Sequence, residues 1–304
     1  MRSLFVVLFV LLNASFASNA FSQGSKLDTL LARANQGNAD AQVTLGVMYK
    51  TGLGVTQSYS QAAYWYTKAA EQGEADAQLY LGLMYYNGEG VTQRYSQAAY
   101  WLTKAAEQGL ADAQFNLGIL YYNGEGVTHS FSQAAYWLTK VAEQGDAKAQ
   151  YNLGRMYYKG EGVTQSYSQA AKWWTKAAEQ GYAEAQFNLG LLYINGEGVT
   201  QSYSQAAKWW TKAAEQGQAE AQVNLGILYI NGEGVTQSHS QAAKWWTKAA
   251  EQGHAMAQRN LGLMYYKGDG LAQNKSLGIN YMRLAARKND PDAQKALQTL
   301  GLTW

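Results

Sequence analysis

The chain has 304 residues, 47% hydrophobic and 15% charged, with one proline and 31 glycines. Its formal net charge of +2 makes no strong electrostatic case for nucleic acid or a membrane surface as partner. It has no cysteine, which excludes disulfides, a lipidated cysteine and cysteine-ligated metal, and a chain of this length can bury a sizeable core without them.

The first twenty residues stand apart. Arg2 gives a positive start, Leu4 to Leu12 an apolar run, and Ser18-Asn19-Ala20 small residues at a cleavage position, with Ser15-Phe16-Ala17 as a second choice. This is the composition of a secretory signal peptide over residues 1–20, cleaved after Ala20, and it predicts a periplasmic or secreted protein. The run is too short to span a bilayer, and no later stretch approaches that length, so no transmembrane segment is expected after cleavage. Residues 21–37 read as an N-terminal lead and capping helix: 21–25 are expected to be flexible, and Lys26 to Gly37 resembles half of the unit that follows.

From residue 38 to 289 one 36-residue phrase occurs seven times, with Leu-Gly at 45, 81, 117, 153, 189, 225 and 261 and no insertion. A fixed period of this size marks a stacked array rather than one globular core. Each unit reads as two helices. In the first, Ala41, Leu45, Met48 and Tyr49 share one face. Gly46 and its equivalents lack a side chain so that a neighbouring helix can pack close. The NGEG turn, with Gly88 and Gly90, ends this helix in left-handed backbone.

The second helix opens on SYSQ, a capping box in which Ser58 accepts from the Gln61 N–H and the Gln61 side chain reaches back. Ser130, Ser166, Ser202 and Ser238 repeat the box, and Arg94 breaks it at a cost of about 1 kcal/mol. Tyr59, Ala62, Ala63, Tyr66, Ala69 and Ala70 are expected to form its inward stripe. Lys68 and Glu71, three residues apart, read as a solvated ion pair. Gly73 and its equivalents end the second helices, and Asn289 takes that place in the last unit. One unit cannot cover both of its apolar stripes, so its neighbours must. Asp290-Pro291 then starts a closing helix within a C-terminal cap over 290–304.

The phrases A-x-A-Q-x-x-L-G-x-x-Y-x-x-G-x-G-V and A-A-x-W-x-x-K-A-A-E-Q-G resemble the Sel-1-like repeat (SLR), a relative of the tetratricopeptide repeat. The resemblance implies an all-α fold: a right-handed α-solenoid of antiparallel helix pairs. It also implies a concave surface, lined by the first helices, that binds proteins or peptides in assembly, signalling or bacteria–host contact. Some secreted members are cysteine-rich and are described as binding or weakly hydrolysing β-lactams; this chain lacks their disulfides.

No catalytic constellation is legible. His129, His239 and His254 fall in different units without metal-ligand spacing. No Ser is followed three residues later by Lys, and no G-x-S-x-G occurs. GEGV lacks the third glycine and preceding strand of a phosphate loop. The expectation is a non-enzyme without cofactor or metal.

Positions that vary between units point to a partner. One line on the first helices runs Thr44, Tyr80, Asn116, Asn152, Asn188, Asn224, Asn260. Its neighbour runs Val47, Leu83, Ile119, Arg155, Leu191, Ile227, Leu263. The Asn side chains would bond the backbone of an extended peptide, with Leu83, Ile119, Arg155, Leu191 and Ile227 meeting its side chains. Alternatively, the Asn residues hold the stack in register. Lys148, Arg155 and Lys159 cluster in the fourth unit and suit a partner with an acidic centre. The second helices carry Tyr-Trp in units one to three and Lys-Trp-Trp in units four to six, a candidate outer aromatic surface. The reading is an exported protein- or peptide-binding scaffold in the cell envelope or in host contact. Its alternatives are a β-lactam-binding or hydrolysing protein and a purely structural envelope component.

Overall fold

The computed structural model describes residues 20–304; the expected leader, through Asn19, lies outside the described residues. Every described element is a helix. The first compact unit runs through His129 and holds α1 (Ala20–Asn35), α2 (Ala39–Thr51), α3 (Tyr59–Glu71), α4 (Ala75–Asn87), α5 (Tyr95–Glu107) and α6 (Ala111–Asn123). The second runs from Ser130 and holds α7 (Phe131–Glu143), α8 (Ala147–Lys159), α9 (Tyr167–Glu179), α10 (Ala183–Asn195), α11 (Tyr203–Glu215), α12 (Ala219–Asn231), α13 (His239–Glu251), α14 (Ala255–Lys267), α15 (Lys275–Arg287) and α16 (Pro291–Thr299). Within each unit every helix packs on the next in sequence, as an array of helix pairs requires. Because α1 starts at Ala20, residues 21–25, expected as a flexible lead, are helical; the segment has no proline, and its one glycine, Gly24, costs only about 1 kcal/mol in a helix.

Glycine acts here in two ways. Gly88 ends α4 at φ 74°, its N–H donating to Met84 O. Two residues on, Gly90 (φ 69°) lies so close to the start of α3 that a Cβ there would stand 2.2 Å from the Tyr59 carbonyl. Inside the helices the reason is packing alone: a Cβ on Gly46 would stand 2.4 Å from the Tyr66 ring, and one on Gly154 would stand 2.5 Å from the Trp174 indole. The indole N–H groups of Trp174, Trp210 and Trp246 donate to Tyr151 O, Phe187 O and Val223 O at 3.1, 3.0 and 3.0 Å, so these large side chains are satisfied where they cross the first helix.

The second-helix stripe differs from expectation at one end. Ala62, Ala63, Tyr66, Ala69 and Ala70 are buried, but Tyr59 is 41% exposed and Trp65 is buried instead. The Trp position looks backward along the array: Trp209 joins the core formed by α9 and α10, and Trp245 joins that of α11 and α12. A large apolar ring inserted into the preceding pair is what couples neighbouring units energetically.

The capping serines work by half of the expected box. Ser58 accepts from the Gln61 N–H at 3.3 Å, but its own N–H donates to Tyr49 O at 2.9 Å rather than to the Gln61 side chain. The loop folds back onto the end of α2, where helix carbonyls lack intrahelical donors. Arg94 caps nothing with its side chain. Asn289 takes φ 63°, and Asp290 caps α16 by accepting from Ala293 N at 2.8 Å.

A buried glutamine in each first helix ties the stack. Gln78 Nε2 donates to Ala70 O (3.1 Å) and its Oε1 accepts from Gln108 Nε2 (2.8 Å). Gln186 repeats this with Ala178 O (3.0 Å) and Gln216 (2.8 Å), and Gln222 with Ala214 O (3.0 Å) and Gln252 (2.9 Å). Each ties the first helix to the end of the preceding helix and to the end of its own second helix.

Candidate functional site

The first helices carry one half-buried stripe beside the core. In the first unit it holds Leu83, Asn116 and Ile119; in the second it holds Asn152, Arg155, Asn188, Leu191, Asn224, Ile227 and Asn260, all neither fully buried nor fully exposed. Burial places them where a side chain both supports its neighbours and meets solvent. Ile227 packs on the core around Trp246, and Leu191 on that around Trp210.

The asparagines do not bridge helices. Asn116 Nδ2 donates to Asp112 O at 2.7 Å and Asn152 Nδ2 to Lys148 O at 2.8 Å, each one turn back on its own helix. No hydrogen bond joins the side chain of Asn188, Asn224 or Asn260 to another described residue. Register is held by the buried glutamines instead. The recurring A-x-A-Q phrase contained that signal, since a Gln set in an apolar stripe must find partners.

One pocket of about 190 Å³ gathers three of the sequence candidates. Arg155, Asn188 and Leu191 line it, with Tyr151, Trp174 and Lys159. The Arg155 guanidinium lies 5.9 Å from the centre of the Tyr151 ring, and Tyr151 is 5.1 Å from Tyr182. Burial, with help from Glu184, Tyr151 and Asp146, pushes the Tyr182 phenol up to about 12, against a lowering by Arg155. Tyr158, also at the pocket, donates to Glu197 Oε2 at 3.3 Å; burial first and Glu197 second raise its phenol above the usual value. These phenols stay protonated at neutral pH and act as hydrogen-bond donors, not bases. Among the described residues no cluster of three or more His, Asp or Glu has the geometry to hold a metal. His239 Nδ1 meets Asp269 Oδ1.

The outer face is not the aromatic surface that the Trp content suggests. Trp173, Trp209 and Trp245 are buried, and the most exposed rings of the second helices are Tyr64, Tyr100 and Tyr136, ahead of Tyr59, Tyr95 and Tyr203. The expected Lys68–Glu71 pairing does not form. Lys68 lies 5.0 Å from the Tyr64 ring centre, and Lys176 4.5 Å from that of Trp173. A cation one turn beyond an aromatic ring gains more from its face than from a flexible carboxylate in water.

A family model described as the Sel1 repeat matches residues 39–74, 75–110, 111–146, 147–182, 183–218, 219–254 and 255–290. The chain belongs to the Sel1 repeat family. Sel1 repeats form scaffolds typical of protein–protein interaction. A solved structure of c5321, a protective antigen present in uropathogenic Escherichia coli strains displaying an SLR fold, is 39% identical with a TM-score of 0.86, over 90% of this chain and 59% of that one. This chain thus spans about three fifths of that relative's length. A Sel1 repeat protein from Oxalobacter formigenes is 35% identical with a TM-score of 0.75, over 94% of this chain and 83% of that one. Among curated proteins none matches.

Proposed function

We propose that this Sel1 chain is an exported scaffold that binds a protein, through an extended segment of it, along the face of its first helices. On this reading residues 1–20 are the leader, 21–37 and 290–304 are caps, and 38–289 are the binding repeats. The carrying observation is the division of labour between amides. Buried glutamines hold the stack, while the side-chain amides of Asn188, Asn224 and Asn260, at a half-buried surface, bond no other described residue. An amide offers a donor and an acceptor at once, which matches the alternating N–H and C=O of an extended backbone. The apolar residues one turn on, Leu191 and Ile227, supply contact for its side chains. That the related c5321 is a protective antigen supports placing the chain in the cell envelope or in host contact.

The test is affinity capture from envelope extract with the exported form, whose first residue read by mass spectrometry should be Phe21. Asn188→Ala with Asn224→Ala should lower retention of the captured protein about tenfold or more, since two backbone hydrogen-bond pairs are lost. Circular dichroism should not change. Undiminished capture by the folded double variant would refute the Asn line as the site.

A further inference from the structure

On the reading that an extended segment lies along the first helices, we propose that the pocket between α8 and α10 is a carboxylate subsite, selecting partners with an acidic side chain or a chain-end carboxylate at that point.

The sequence lines make this place singular. Where Arg155 stands, the other units have Val47, Leu83, Ile119, Leu191, Ile227 and Leu263. Lys159 follows four residues later, on the same helical face, where most units have Asn or Thr. Both cations line the same pocket, with Tyr151, Trp174, Asn188 and Leu191. The Arg155 guanidinium lies over the Tyr151 ring, 5.9 Å from its centre, on the wall of the pocket. A carboxylate is the anion that a guanidinium edge meets with two parallel hydrogen bonds.

The rest of the pocket matches the remainder of such a group. A volume of about 190 Å³ admits one side chain rather than a whole residue pair. Trp174 and Leu191 suit an aliphatic stem, and the Asn188 amide adds a donor. Glu197 accepts from the Tyr158 hydroxyl. Glu161 lies 3.5 Å from the Lys159 ammonium, a pair 22% and 47% exposed and therefore screened, so a ligand carboxylate shares that ammonium without breaking a buried contact.

Two kinds of probe separate the subsite from the groove. The first is N-acetyl-glutamate N-methylamide against its glutamine counterpart, followed by NMR at the Trp174 indole N–H, with N-acetyl-leucine and its amide as the chain-end arm. The second is a pentapeptide, acetyl-Leu-Ala-Glu-Ala-Leu-amide, against the same peptide with Gln. Each charged form should bind about tenfold more tightly than its neutral counterpart. Arg155→Leu, the residue of neighbouring units, should abolish that difference, and Arg155→Gln should do the same if the leucine variant folds poorly. Lys159→Asn should reduce it. Equal binding of Glu and Gln forms, or a preference that survives loss of Arg155, overturns the subsite even when the peptides bind. Discrimination among the single-residue probes with no gain from the pentapeptide would leave the subsite standing and count against the groove. A preference for N-acetyl-leucine over the glutamate probe would identify the chain end as the source of the carboxylate.

Discussion

Gln186 shows what a single buried polar residue contributes. It is 2% exposed, donates to the Ala178 carbonyl and accepts from Gln216. Gln186→Ala removes two hydrogen bonds at once, leaving the Ala178 carbonyl the Gly181 N–H and the Gln216 amide a 3.5 Å contact to Lys212 O, and should cost about 2 kcal/mol. Gln258 is a natural control: it donates to Ala250 O at 3.2 Å, but its Oε1 has no partner, because Lys288 stands where the other units place the donating Gln. Gln258→Ala should therefore cost about 1 kcal/mol. Thermal melts of the two variants compare them directly; equal losses would show that the second hydrogen bond adds nothing. The role of these residues was only half legible. The sequence shows a Gln inside an apolar stripe in every unit, but its partners stand eight residues before and thirty after, beyond helical periodicity. The Asn line varies between units, yet the Asn116 and Asn152 side chains bond carbonyls of their own helices.

At the scale of helices, the same sequence motif is used in unequal ways. Serine caps α3, α7, α9, α11 and α13, and Arg94 leaves α5 without a side-chain cap. The backbone there is already in the capping conformation, at φ −149° and ψ 102° against −154° and 105° at Ser58. No rearrangement is needed to use a serine, so Arg94→Ser should stabilise the chain by about 1 kcal/mol. A melting midpoint that fails to rise would mean that the cap is already satisfied by solvent. The cap residue was readable from spacing, whereas the donation of the Ser58 N–H to Tyr49 O depends on how the loop closes. The lysines teach the same lesson. Spacing put Lys68 within reach of both Tyr64 and Glu71, and only the balance of ring face against hydrated carboxylate decides between them.

For the whole molecule, a fixed period with no insertion made the all-α repeat architecture legible from the sequence, because every unit must meet the same neighbour surfaces. The pocket at Arg155 was not legible as a pocket: its residues come from three helices, and only their charges were visible in advance. The same logic gives a prediction about folding. The cores around Trp174, Trp210, Trp246 and Met282 are built wholly from residues beyond Ser130. Stability in such arrays is close to a sum of unit and interface terms, and the four complete units beyond Ser130 exceed the three that support a fold. A fragment of residues 130–304 should therefore be helical by circular dichroism and melt cooperatively. It also contains Arg155, Lys159, Asn188 and Leu191, so it should keep the preference for the glutamate probe over its glutamine counterpart. An unfolded fragment would mean that the first unit supplies energy its neighbours cannot do without. A folded fragment that has lost the preference would mean that the carboxylate pocket depends on residues before Ser130, contrary to the position of every side chain that lines it.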